Sequence, residues 1–400
     1  MNIKPLAIVA ICVTMAACSN NSTVPNRIEL PGTIDNEAFA ANVESISVMN
    51  LQMDDCWAFT EYMVIGLTDN YLYISDEERI TLMSFDLRTG EKLSNRKIKG
   101  NGPSEILGLN SMFCNGDICC IYDNKGVIRQ YDHNCRFVGK LYEIRDMPQK
   151  YHLVKLSNKK YAFVAISGHF TDETDEVTRA IFLTDSKFNI TSKHFCPKPA
   201  NIVVFGGSYG YFDGDTMRFI FPYDNHLNTL YGEVEQSAEL VLPNPLTPEI
   251  GNDIIENLSP QEFGKYDGDF SDLCGSGHFL TVKYRIDGKQ IMSMIDKRTY
   301  NAVSIPDEAD ESMATTANIV DNIVRLSNII KSDGGCIYAR CKNTDLASLL
   351  EGHDNLLDGR LKKTQAEYRA YLERNAEYIK GLEPEERDAA TVLLKIKLKD

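Results

Sequence analysis

Gly100–Leu141 reads GNGPSEILGLNSMFCNGDICCIYDNKGVIRQYDHNCRFVGKL. A Gly-Asn-Gly-Pro loop opens it. Four short, half-apolar runs follow, separated by three turns: Asn115-Gly116, then Asn124-Lys125-Gly126, then Asp132-His133-Asn134. Asn-Gly between half-apolar runs is a strong short-range hairpin signal. Three such turns in succession predict a four-stranded antiparallel meander, which is one blade of a propeller.

Outward from this stretch the same unit recurs. A small or apolar residue, then Asp, then a polar turn appears at Phe85-Asp86, Tyr131-Asp132, Thr184-Asp185 and Ile295-Asp296. The spacing is about fifty residues, with one gap about double, as expected of a radial repeat. The skipped copy stands at Tyr231-Gly232-Glu233, without its Asp. Each Asp is expected to cap the backbone N–H groups of its own turn, a structural role. A second marker, a β-rich run ending in a turn, occurs six times: 72–78, 118–126, 161–168, 217–225, 279–289 and 335–343. The fold predicted is therefore all-β, a six-bladed propeller of four-stranded antiparallel blades over 41–400.

The last unit is interrupted. Thr364–Lys380 has helical spacing, with Tyr368, Leu372, Ala376 and Ile379 on one stripe and Gly381 as a stop. A helical insertion over about 360–382 is expected to pack outside a blade. TVLLKIKLK (391–399) then alternates as a strand. It is expected to close the ring with an N-terminal strand within Val43–Leu51, which removes open edges.

Residues 1–17, MNIKPLAIVAICVTMAA, have a positive start, a short apolar run and small residues before Cys18. This reads as a lipoprotein signal peptide, with Cys18 as the lipid attachment site, since two or three acyl chains on one residue anchor firmly. Residues 18–40 read as a flexible tether. No acidic cluster follows Cys18; by resemblance to bacterial lipoproteins, in which such a cluster commonly accompanies transfer to the cell surface, this implies an outer-membrane anchor facing the periplasm over the cell surface. The net charge of −15 argues against nucleic acid and anionic membrane surfaces as ligands. Of eleven cysteines, most read as small apolar strand residues; Cys119 and Cys120 are neighbours in one strand and face opposite ways. A zinc site from Cys114, Cys119, His133 and Cys135 lacks paired spacing.

Lys99-Gly100-Asn101-Gly102-Pro103-Ser104-Glu105 resembles the G-x-G-P-G-E loop of six-bladed β-propeller lipoproteins of Bacteroidota, themselves similar in shape to NHL and TolB-type propellers. Ser104 stands where that family commonly has Gly. The resemblance implies the fold and says little of chemistry. In the loop, Gly100 and Gly102 supply conformational freedom, Pro103 fixes the turn, and Glu105 is expected to accept backbone N–H groups.

Propeller ligands commonly sit at the central mouth. The loops assigned there are Gly108–Ser111, Gly206–Tyr211 and Gly275–His278, which nominate Asn110, Tyr209, Tyr211 and His278 as ligand-binding residues. Gly206–Phe212 mixes Gly with Tyr, as a sugar- or peptide-binding surface would. The seven His are scattered without metal-like spacing, and no G-x-S-x-G occurs. No catalytic residue, cofactor or metal is therefore assigned. The leading expectation is a monomeric, non-enzymatic envelope lipoprotein presenting one face to a protein, peptide or glycan. One alternative is a metal-dependent hydrolase or lactonase using Asn110, Asp123 and Glu105 in the channel. Another is a sensor or accessory factor of an outer-membrane transporter.

Overall fold

The computed structural model describes residues 26–35, 37, 39–53, 63–76, 80–143, 152–156, 160–164, 170–171, 177–178, 180–195, 210–213, 216–220, 225–231, 233–257, 260–305, 315–332 and 335–400. The signal peptide, Cys18 and Tyr209 lie outside them.

Two short strands come first, β1 (Asn26–Glu29) and β2 (Thr33–Ile34), then β3 (Val43–Val48). Blade 1 is β4 (Met63–Leu67), β5 (Tyr71–Asp76), β6 (Thr81–Asp86) and β7 (Lys92–Lys97). Blade 2 is β8 (Leu109–Asn115), β9 (Ile118–Asp123), β10 (Val127–Tyr131) and β11 (Phe137–Glu143). Blade 3 is β12 (His152–Lys155), β13 (Tyr161–Val164), β16 (Ala180–Thr184) and β17 (Ile190–Phe195), with a small hairpin, β14 (Phe170–Thr171) and β15 (Val177–Thr178), between its middle strands. Blade 4 is β18 (Gly210–Asp213), β19 (Thr216–Ile220), β20 (His226–Tyr231) and β21 (Glu233–Val241). Blade 5 is β22 (Gly268–Ser276), β23 (Phe279–Ile286), β24 (Lys289–Asp296) and β25 (Ala302–Ile305). Blade 6 is composite, in the order β26 (Asn328–Ser332), β27 (Ile337–Lys342), β28 (Thr391–Leu398), β3. Leu394 pairs with Val48 and Ile396 with Ile46, so the C-terminal strand joins the N-terminal one as expected.

All six β-rich runs of the sequence are second strands of blades (β5, β9, β13, β19, β23, β27). They are near-continuously apolar because both faces are covered by neighbouring blades. Cys119 and Ile121 pack toward blade 1 with Tyr73 and Leu82, whereas Cys120 and Tyr122 pack toward blade 3 with Phe163 and Phe182. The Asp markers all lie in turns between third and fourth strands. Asp86 Oδ1 accepts the N–H groups of Arg88 and Thr89, both at 2.9 Å. Asp132 Oδ1 accepts those of Asn134 and Arg136 at 2.9 and 2.8 Å. Asp185 and Asp296 do the same in their turns. The sixth marker is missing because in blade 6 that turn is replaced by the two chain ends. One turn differs in detail from its sequence reading: the two-residue loop closing β8 and β9 is Gly116-Asp117, with Gly116 at φ +57°, and Asn115 belongs to the strand.

Within the segment read as tether, the described residues 26–34 include two strands that form a strap. β1 adds parallel to β21 at the outer edge of blade 4, and β2 adds parallel to β25 at the outer edge of blade 5. Ile28 and Leu30 are buried there. Gly32, at φ +69°, brings this strap close enough that a Cβ would lie 2.3 Å from Ala302 O. The helical insertion is also larger than read. It holds α3 (Asn343–Leu350), α4 (Gly359–Arg374), α5 (Ala376–Gly381) and α6 (Pro384–Ala389), with α1 (Pro248–Glu256) and α2 (Thr316–Leu326) elsewhere in crossovers. Helix α4 lies along β3. Thr364 Oγ1 donates to Ile46 O at 2.6 Å, Glu367 Oε2 accepts Val48 N at 2.9 Å, and Arg360 Nη1 donates to the carbonyls of Ala40 and Val43. Those three side chains satisfy an edge strand that would otherwise be open to pairing. Ala376 is exposed, because the helix breaks at buried Asn375.

Candidate functional site: the two ends of the ring

In a meander, turns alternate between ends. Turns joining first to second and third to fourth strands lie at one end, the hairpin end. Turns joining second to third strands, and the crossovers between blades, lie at the other, the crossover end. This parity separates the residues nominated from sequence. Asn110 begins the first strand of blade 2, at the crossover end. His278 lies in the first turn of blade 5, at the hairpin end, where its carbonyl accepts Lys297 N at 2.9 Å. Tyr211 is on neither surface. It is buried between blades 4 and 5 with its ring against Gly275, where a Cβ would stand 2.4 Å from it. Glycine content alone pointed to the loops and could not report which end each occupied.

At the crossover end of blade 2, Asn110, Asp123 and Glu105 form a knot of internal bonds. Asn110 Nδ2 donates to Asp123 O at 3.2 Å. Asp123 is fully buried; its Oδ1 accepts Lys125 N and Val127 N at 2.9 and 2.8 Å, and its Oδ2 pairs with Arg129. Arg129 Nε reaches back to Pro103 O at 3.2 Å, and Tyr131 OH to Ser104 O at 3.0 Å. Glu105 Oε2 accepts Gly102 N at 2.9 Å, and a Cβ on Gly100 would stand 2.0 Å from that same oxygen. Ile98 N–H and carbonyl partners then lock the crossover, with Ile106 N donating to Ile98 O at 2.8 Å. The Gly-Asn-Gly-Pro-Ser-Glu loop thus fastens blade 1 to blade 2.

Among the described residues, the crossover end carries long connections at 98–108, at 242–267 with α1 and a 3-10 turn at Pro260–Lys265, and at α2 before blade 6. The helices α3 to α6 leave the ring there too, between the second and third strands of blade 6. The 242–267 excursion stands on a fixed foot. Buried Asp267 accepts Asn244 N through Oδ2 at 2.8 Å and Asp287 N through Oδ1 at 3.0 Å, and Asn244 Nδ2 donates to Lys265 O at 2.7 Å. Above it, Glu249 and Asp253 of α1 are exposed.

At the hairpin end of blades 1 and 2 the turns are tight and packed on one another. Tyr73 OH donates to Asp117 O at 2.5 Å, Asn70 Nδ2 to the Asp117 carboxylate at 3.1 Å, and the His133 ring stacks on Tyr71 with centroids 5.0 Å apart. Near the axis, Lys155 Nζ of blade 3 donates to Asn115 Oδ1 of blade 2 at 2.9 Å. Burial pushes the neighbouring Cys114 thiol up to about 11, and Lys331 and Lys155 pull it back. The sequence reading missed this pair of lysines, which lie on first strands of different blades. Of the zinc candidates, Cys114, Cys119 and Cys135 share one apolar cluster, but His133 is turned onto Tyr71. Among the described residues, no group of three His, Cys, Asp or Glu side chains is placed to hold a metal ion. No helix among them is long and apolar enough to cross a membrane.

The profile of the DUF5128 family, a 6-bladed beta-propeller, matches residues 17–317. Among solved structures, a Bacteroides fragilis NCTC 9343 protein inferred to be exported superposes with a TM-score of 0.65 at 17% identity, over 94% of this chain and 100% of that one. A DUF4221 member from Bacteroides vulgatus ATCC 8482 gives 0.49 at 8% identity, over 90% and 98%. At 17% identity the likeness to the Bacteroides fragilis protein concerns the fold alone. No curated protein matches the chain.

Proposed function

The chain belongs to the DUF5128 family of six-bladed β-propellers, and we propose that it is an extracytoplasmic, non-enzymatic binding module that offers its crossover end to a protein, peptide or glycan. The asymmetry of the two ends carries this reading. At the hairpin end, the described turns of blades 1 and 2 are short and bonded to one another. The crossover end carries the excursion 242–267 on a fixed footing, and the helical block 343–389 leaves and rejoins blade 6 there. Long ordered loops on a rigid scaffold are where recognition residues concentrate. Tethering through Cys18 to the outer membrane, facing the periplasm, completes the proposal. The Met15-Ala16-Ala17-Cys18 pattern supports it, as does a similar fold in a protein inferred to be exported.

Two measurements test it. A photo-crosslinking residue at Asp253 on α1 should yield a discrete adduct in intact cells, while one at Arg298 in a hairpin-end turn should not. The reverse pattern would place recognition at the hairpin end and overturn the proposal. Cys18→Ala should move the protein from the membrane to the soluble fraction; persistence in the membrane would remove the lipid anchor from the proposal.

A further inference from the structure

The register of blade 2 places two thiols directly opposite one another. Cys114 of β8 pairs with Cys119 of β9, one step out from the Asn115–Ile118 pair that closes the two-residue loop. In such a hairpin the closing pair is hydrogen-bonded, so the next pair is the close-approach kind, with Cα atoms about 4.5 Å apart. A disulfide needs about 4.4–6.8 Å between Cα atoms. Both side chains lie on the face packed toward blade 1, in one apolar cluster, with Cys119 fully buried and Cys114 half-buried. Cys120 faces the other way, into the cluster with blade 3. The third thiol on this side, Cys135, lies in the next turn with its Sγ 3.5 Å from Ser84 Oγ.

We infer that Cys114 and Cys119 are a redox-active dithiol that closes to a cross-strand disulfide by exchange with a disulfide oxidant. Their unequal exposure gives them distinct roles. Cys114 is the less buried of the two and is the one an oxidant reaches; burial holds its thiol up and Lys331 and Lys155 counter that only in part, so it is the small thiolate fraction that attacks one sulfur of the oxidant. The oxidant's S–S bond breaks and one thiolate leaves. Cys119, held opposite, loses its proton and attacks Cys114 Sγ. The mixed disulfide breaks and the second thiolate leaves. The two protons given up by the cysteines end on the two thiols released, so one dithiol and one disulfide become one disulfide and two thiols. The new bond staples the innermost hairpin of blade 2 beside the Tyr73–Asp117 contact.

The test uses the folded, full-length chain with oxidised glutathione as the oxidant. Remaining thiols are then alkylated under denaturing conditions, and peptides are mapped by mass. The expected result is an intramolecular Cys114–Cys119 link that dithiothreitol reverses, with both thiols lost to alkylation together. Cys114→Ala should leave Cys119 fully alkylated. Three outcomes overturn the inference: both thiols still alkylated after oxidation, a glutathione adduct on Cys114 that never resolves, or a Cys119–Cys135 link in place of the one expected.

Discussion

Blade 2 and blade 6 share one strand order and are built from opposite kinds of contact. Blade 2 is a continuous stretch, Leu109–Glu143, whose turns carry their own carboxylates. Blade 6 is assembled from Asn328–Lys342, Thr391–Leu398 and Val43–Val48, and its outer edge is sealed by side chains of α4. The first is specified by neighbours in sequence. The second depends on bonds between residues at opposite ends of the chain. Local blades supply turn geometry that forms early and cheaply, since short loops close at low entropic cost. The composite blade closes the ring, and it also bears the helical block that covers its outer edge.

The largest expected effect lies in the local blade. Asp123→Ala leaves Arg129 buried without its partner and strips Lys125 N and Val127 N of their acceptor. Removing one member of a buried ion pair costs about 3–5 kcal/mol. Urea unfolding should show that loss, and a cost under about 1 kcal/mol would mean that the turn network of blade 2 is solvated in practice. The next effect is on the composite side. Asp321 of α2 is buried with its Oδ2 accepting Phe39 N at 3.3 Å, while burial, with the nearby Asp35 and Glu37 charges, raises its pKa from 3.8 to about 7 against the pull of the Phe39 and Ala40 N–H groups. The folded state therefore holds a proton that the unfolded chain releases. Stability from this group is complete below about pH 4 and is lost as pH rises toward and through 7, by on the order of a few kcal/mol. Asp321→Asn should flatten that slope while keeping an acceptor for Phe39 N. A variant whose stability falls with pH as steeply as wild type would exclude Asp321 as the source.

What could be read beforehand follows the same division. The Asn-Gly and Asp turns, the six apolar second strands and the closing strand were legible because each is written within a few residues of itself. Turn chemistry and two-residue alternation need no knowledge of distant partners. The strap and the edge seal were not legible. Asn26–Glu29 looks polar because only Ile28 points inward, and its pairing is with residues more than two hundred positions away. The helix α4 was visible as an apolar stripe, yet its fastening runs through Arg360, Thr364, Glu367 and Asn375, which an apolar pattern ignores. Asn110, Tyr211 and His278 were nominated by loop composition, and composition does not encode the parity of a turn.

The smallest effect tests whether the composite blade behaves as its own cooperative unit. Asn375 is buried between α4 and α5. Its Oδ1 accepts Met53 N at 2.6 Å, and its Nδ2 donates to Leu51 O at 2.9 Å. Asn375→Ala leaves both backbone groups without that partner, a cost of about 1–3 kcal/mol. Asn375→Asp retains the acceptor and loses the donor, so it should fall between alanine and wild type. The site of the loss matters more than its size. Local opening is expected where a segment hangs on few buried bonds. Amide exchange should therefore quicken at Leu51–Met53 and along β3, while the amides of β9 and β10 keep wild-type protection. Equal quickening in both blades would show that closure of the ring and folding of the local meander are one event, and the division between the two blades would then describe their assembly but not their stability.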